Sequence, residues 1–339
     1  MATNITTAFN SIYLTAHLPE TVFIGTSESS VIVRVEVDGD EVFKSVYYPY
    51  NQVVAFRDLR SIIEAAMLDQ GLDIATLEIW AEPPSGNASA VQDVKVIYSD
   101  RKFVKDTESL LRAQFLTTRT SALIPKDGHV ILCNYTKAFE EGYNNITIYY
   151  SMPYAADTVL TKNHYMGRVQ SETAKIVSVK LDYAYFKTIV DNATGGNAVI
   201  HGAEYQIGGR RFNIFFTDEQ PTDNFEFLNC FGEQETLYLY GVTTIKTEVD
   251  RSEAVSGRKT QYYDETVKVK HEVETAPLTF EEAEWVSQML TSKWVGKQLA
   301  EGIMEEVLIS DITSEVTDSD KELTRIKFSW KYAKGTEWS

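Results

Sequence analysis

Alternation of apolar and polar residues dominates the chain. Val31, Val33, Val35 and Val37 alternate with Ile32, Arg34 and Glu36, the period of a strand buried on one face. Asp38-Gly39 supplies a tight turn, and Val42–Tyr48 returns as the second arm of a hairpin. The rhythm then changes. Leu59, Ile62, Ile63, Ala66 and Met67 fall at helical spacing, which predicts a helix with Asp58 as N-cap and Gly71 just past its end. Strands are expected over Thr76–Ala81 and Val91–Tyr98, parted by the loop Glu82-Pro83-Pro84-Ser85-Gly86-Asn87. Strands with one helix packed across them predict an immunoglobulin-like sandwich carrying an inserted helix.

A polar stretch, Ser99 to Thr107 with Arg101, Lys102 and Lys105, marks a first boundary. Beyond it the pattern predicts strands over Ala113–Thr118, His129–Tyr135, Asn145–Ser151 and Ala174–Leu181, with turns at Pro125–Gly128 and Glu140-Glu141-Gly142. Tyr205–Ile207, Gly208-Gly209 and Arg210–Phe216 read as a hairpin. A third section opens after Thr217–Asp223. Its expected strands are Phe225–Cys230 and Glu235–Tyr240 around Gly232, then Val242–Asp250 and Thr266–Glu274. Thr279-Phe280-Glu281-Glu282 is a capping box opening a helix to about Leu290, with Ala283, Val286 and Leu290 inward. In the final strand Ile326, Phe328, Trp330 and Tyr332 face one way, and Arg325, Lys327, Ser329 and Lys331 the other. The expected fold is mainly β and multidomain: sandwiches over 1–102 and 103–221, then a β-rich domain with the capping-box helix over 222–339.

Composition agrees with several modules, since 339 residues exceed one ordinary core and 43% hydrophobic residues can fill more than one. The balance of 49 acidic against 32 basic residues leaves a formal charge of −17. A field of that sign opposes phosphate backbones and anionic lipid, so no nucleic-acid partner is expected. No apolar run approaches a membrane span, so no membrane insertion is expected either. Met1 to Glu20 contains no Lys or Arg and no apolar run, which predicts synthesis without a signal peptide. Cys133 and Cys230 sit in strand-like apolar stretches and read as buried thiols, with one disulfide as the alternative.

Motifs for chemistry are sparse. His17, His129, His164, His201 and His271 are scattered, with no spacing that gathers a metal. Asp38-Gly39-Asp40-Glu41 lacks the carboxylate spacing of a calcium loop, and Gly195-Gly196 and Gly208-Gly209 are turns and not phosphate cradles. No cofactor is expected. Neither a nucleophile elbow nor an activated cysteine is present. A glycosidase pair of carboxylates is defined in space and not by spacing, so a glycoside hydrolase stays open as a lesser alternative. Tyrosine is the unusual count, at 19. Its clusters Tyr47-Tyr48-Pro49-Tyr50, Tyr149-Tyr150 and Tyr262-Tyr263 read either as ordinary strand aromatics or as contact surface. Tyr47, Tyr48, Tyr50, Tyr262 and Tyr263 are the candidate interaction residues.

One ordered set of segments carries a resemblance. Phe225-Glu226-Phe227-Leu228-Asn229-Cys230-Phe231-Gly232-Glu233 is followed by Glu235–Gly241, then Leu278-Thr279-Phe280-Glu281-Glu282, Ser292, Glu306–Ile309 and Leu323–Ala333. Upstream stand Gln114-Phe115-Leu116-Thr117 and Arg119. This order resembles structural proteins of tailed phages and prophages of gut Bacteroides-type bacteria. Phe227 stands where those proteins usually carry Trp, and Glu233 where they carry a second Gly. The resemblance implies a non-enzymatic virion protein, tail-, baseplate- or adaptor-associated, whose motif residues are structural. Its partners would be other virion proteins and copies of itself. The alternative is a module that binds a host-surface glycan or protein.

Overall fold

The computed structural model describes residues 3–137, 142–169, 173–299, 302–313 and 323–334. Among the described residues strand makes up 56% and helix 15%, arranged as several open sheets, so the chain is a mainly-β protein of multidomain sandwich type.

The first module contains β1 (Asn4–Ile5), β2 (Ile12–Leu14), β3 (Thr21–Gly25), β4 (Val31–Val37), β5 (Asp40–Tyr47), β6 (Val53–Arg57), α1 (Leu59–Gln70), β7 (Ile74–Glu82) and β8 (Ser89–Ile97). One sheet has the order β2-β8-β7-β4-β5 and the other β1-β3-β6. Val31, Val33, Val35 and Val37 are all fully buried, as their alternation predicts. Helix α1 lays Leu59, Ile63 and Met67 into the same core, and Gly71 ends it in the left-handed region at φ 65°. Asp58 precedes the helix as expected but does not cap it. It too is left-handed, and its carbonyl accepts from the Ser61 hydroxyl instead.

The expected strand at Ala113–Thr118 is a correction. Helix α2 (Thr107–Ala113) occupies its start, capped by Asp106, whose carboxylate accepts from the Ser109 amide at 3.0 Å. Residues 114–120 then run as irregular chain. Phe115 and Leu116, within the expected strand, are buried from a loop, and Leu110 and Leu111 from the helix before it.

The second module comprises β9 (Ser121–Pro125), β10 (His129–Thr136), β11 (Gly142–Met152), β12 (Ala155–Val169), β13 (Lys175–Asp182), α3 (Tyr183–Thr194), β14 (Val199–Ile207) and β15 (Arg210–Thr217). The order β12-β11-β14-β15-β9 forms one sheet, and β10-β13 a two-stranded ribbon. The turn expected at Glu140-Glu141 lies outside the described residues. Helix α3 has no counterpart in the sequence reading, because Tyr183, Tyr185, Phe186, Ile189 and Val190 favour strands. Tertiary packing decides otherwise, and Phe186 and Val190, one turn apart, are both fully buried.

The third module holds β16 (Asp223–Leu228), β17 (Gln234–Leu239), β18 (Gly241–Ser256), β19 (Lys259–Thr275), α4 (Phe280–Thr291), β20 (Val295–Gln298), β21 (Met304–Thr313) and β22 (Lys327–Tyr332). Its seven-stranded sheet runs β17-β16-β20-β21-β22-β19-β18. The predicted capping box is formed: Thr279 Oγ1 accepts from the Glu282 amide, and the Glu282 carboxylate accepts from the Thr279 amide. Phe225, Phe227, Val286, Met289, Phe328 and Trp330 fill the core beneath the helix.

Candidate interaction surface

Two features stand out against these cores, a hub where the modules meet and an arm that leaves it. The hub is an apolar cluster supplied by every module: Leu14 and Ile97 from the first, Leu116, Cys133 and Tyr135 from the second, Cys230 and Phe231 from the third. Both cysteines are buried free thiols within it. The loop between β16 and β17 organises it. Asn229 folds back on its own turn, its Oδ1 accepting from the Phe231 and Glu233 amides, while Nδ2 donates to the Leu116 carbonyl at 2.8 Å. Gly232 permits that turn at φ 79°. Phe231 stacks on Phe103 at 5.2 Å, and the Asp100 amide donates to the Cys230 carbonyl.

Beside the loop lies a buried ion pair. Arg119 Nη2 is 2.9 Å from Glu235 Oε2. Asn229 and the Trp285 indole donate to the same carboxylate at 2.6 and 2.7 Å. The guanidinium lies 3.7 Å above the Trp285 ring. Gln288 adds a bond to the Thr118 hydroxyl at 2.6 Å, and Ser292 Oγ donates to the Leu228 carbonyl at 2.8 Å. Leu116, Arg119, Asn229 and Ser292, far apart in sequence, therefore converge on one junction. Each of the four belongs to the ordered segments noted in the sequence, and each makes a contact within this junction.

The arm is the hairpin β18–β19. His271–Glu274 of β19 pair with β22, so among the described residues the two strands pair with each other alone from Lys246 to Lys270. The chain turns at Gly257-Arg258, with Ser256 opposite Lys259. At about 3.3 Å per residue, the 16-residue β18 carries the tip some 50 Å from its root. The alternation in the sequence over Val242–Asp250 and Thr266–Glu274 is the root half of this element, and the sequence reading does not extend to its tip. Gly257 amid alternating residues was the available signal.

The two faces of the arm differ. Ile245, Val249 and Val267 point the same way and are exposed, with Thr247 and Val269 between them. The opposite face is laced by ion pairs, Lys246–Glu272 at 2.7 Å and Lys268–Asp250 at 3.2 Å, and Lys270 reaches Asp311 on β21 at 2.5 Å. At the tip Tyr262 is 60% and Tyr263 70% exposed, with the Arg251 guanidinium 5.2 Å from the Tyr262 ring.

The other tyrosine candidates lie in the first module. Tyr48 and Tyr50 are 79% and 82% exposed, whereas Tyr47 packs edge-on against Phe56 at 6.0 Å. The two clusters are thus carried by different modules. Among the described residues no group of three or more His, Cys, Asp or Glu side chains is placed to hold a metal ion, and no helix is long and apolar enough to cross a membrane.

A groove of about 840 Å³ lies between the second and third modules. Leu123, Phe215, Tyr240 and Phe280 line it, together with Glu219, Glu281 and Glu282. Two of these carboxylates already have bonds: Glu281 accepts from the Thr120 amide at 2.6 Å, and Glu282 closes the capping box.

No protein-family model matches the chain, and a comparison with curated proteins finds no match.

Proposed function

We propose that the chain is a non-enzymatic structural component of a phage particle, tail-, baseplate- or adaptor-associated, which acts by assembly with copies of itself and with other virion proteins. The observation that carries this reading is the arm. A two-stranded element with an apolar stripe on one face gains nothing from projecting into water, and long unpaired strands are a liability unless something covers them. The hub supports the same reading, because a rigid three-module base is what a lever of this length requires to place its tip. The phage assignment itself rests on the ordered segments that resemble tailed-phage structural proteins. The groove carboxylates Glu281 and Glu282 are engaged in holding α4, which weighs against their use as a hydrolytic pair.

Solution mass, followed by light scattering as concentration rises, tests the proposal. Assembly predicts multiples of 38.3 kDa, and a strict monomer throughout would remove its basis. A second reading, recognition of a host-surface glycan or protein, is favoured by the exposed Tyr48 and Tyr50. Glycan-array binding lost in Tyr48→Ala and Tyr50→Ala would support it over assembly through the arm.

A further inference from the structure

The arm and the groove sit at opposite ends of one element. Tyr240, immediately before β18, and Ala276, immediately after β19, both line the groove. The groove therefore lies at the root of the arm, and the tip is some 50 Å of strand away, beyond a bulge at Ser252/Glu253. A chain cannot bring its own tip to its own groove.

Their chemistries nevertheless match. From Val255 to Tyr262 the tip carries Arg258 and Lys259 and no acid, on a chain whose total charge is −17. Val255, Tyr262 and Tyr263 add exposed apolar area beside those cations. The groove offers the reverse: its lining includes the exposed apolar Leu123, Phe215 and Phe280 and the carboxylates Glu219, Glu281 and Glu282. Its walls include β9 and β17, each the terminal strand of its sheet. A terminal strand has one unpaired row of backbone groups, and the outer edges of a hairpin tip have the same need.

We propose that the arm tip of one copy seats in the Leu123–Phe280 groove of a second copy, the Arg258 and Lys259 cations meeting the Glu219, Glu281 and Glu282 carboxylates. This deepens the assembly reading and rests on it. The contact joins two different surfaces, so it is heterologous: repetition gives a ring if the rotation closes and a filament if it does not.

The test separates this contact from assembly in general. Chains bearing Thr260→Cys and Leu123→Cys are prepared apart, one carrying a mass tag, and mixed under mild oxidation. The native Cys133 and Cys230 are buried, so the new thiols dominate the reaction. Seating of tip in groove predicts that the tagged–untagged disulfide forms at least tenfold faster than with Tyr48→Cys in place of Leu123→Cys. Adding Arg258→Glu to the tip variant should abolish that preference, and Glu219→Lys in the groove variant should restore part of it. Multiples of the chain mass without a preferred tip–groove disulfide would overturn this inference and leave assembly standing. A chain that remains monomeric would overturn both.

Discussion

Arg119 and Glu235 form an ion pair from which water is nearly absent, with 7% and 3% of their side chains accessible and 2.9 Å between the charges. The residues belong to different modules, so this pair helps fix how the second module meets the third. Isolated burial of either charge is costly, and here the cost is offset by two further donors to the carboxylate and by the Trp285 face under the guanidinium. Arg119→Ala leaves Glu235 without its countercharge and is expected to lower stability by about 3–5 kcal/mol. A double variant, Arg119→Met with Glu235→Leu, should cost clearly less, because it leaves no buried charge behind. Chemical denaturation of the three proteins measures the difference. Equal losses in the single and double variants would show that the pair is not the origin of the effect.

Glu233 makes the hub sensitive to pH. Burial raises its carboxyl from the usual 4.5 to about 7, opposed by a bond from the Cys133 thiol and reinforced by the Asp73 and Glu235 charges. One of its oxygens, Oε1, is buried with no hydrogen-bond partner among the described residues. The folded-state value lies above the unfolded one, so the unfolded chain releases its proton first as pH rises. Stability is then lost between pH 4.5 and about 7 and levels off above that. The full effect is about 3 kcal/mol. Glu233→Gln should match the parent near pH 4.5 and exceed it by up to that amount at pH 8. A stability difference that stays flat across this window would show that Glu233 is ionised in the fold.

The apolar face of the arm separates assembly from folding. Ile245 and Val249 are exposed and belong to no core cluster, so Ile245→Asp with Val249→Asp should change stability by no more than about 0.5 kcal/mol per site. The same pair of substitutions places two charges on the stripe proposed to be covered, and should reduce association at least tenfold. Thermal melting and light scattering on one preparation read both quantities. Unchanged association would place the working surface elsewhere.

Legibility from sequence followed the locality of the signal. The alternating valines of β4 and the capping box at Thr279 depend on neighbours a few residues away, and both stand where their pattern puts them. Helix α3 was hidden because its aromatic and β-branched residues favour strands locally, and only packing of Phe186 and Val190 makes them helical. The segment at Ala113–Thr118 misled for a related reason: its Leu116 serves a junction between modules and not a sheet face. The hub could not be read at all. Arg119, Asn229, Glu235 and Trp285 are separated by up to 166 positions (285 − 119), and nothing in their local sequence announces that they meet. Tyr262 and Tyr263 were visible as a cluster, but the hairpin that presents them was only partly traced.

The central claim is that the arm joins copies of the chain. Native mass spectrometry of the intact protein beside a variant in which Lys246–Lys270 is replaced by a short turn tests it most directly, with circular dichroism confirming that the remaining sheets are intact. The intact chain should appear as multiples of 38.3 kDa and the shortened chain as a monomer. A shortened chain that assembles to the same extent as the intact one would contradict the account.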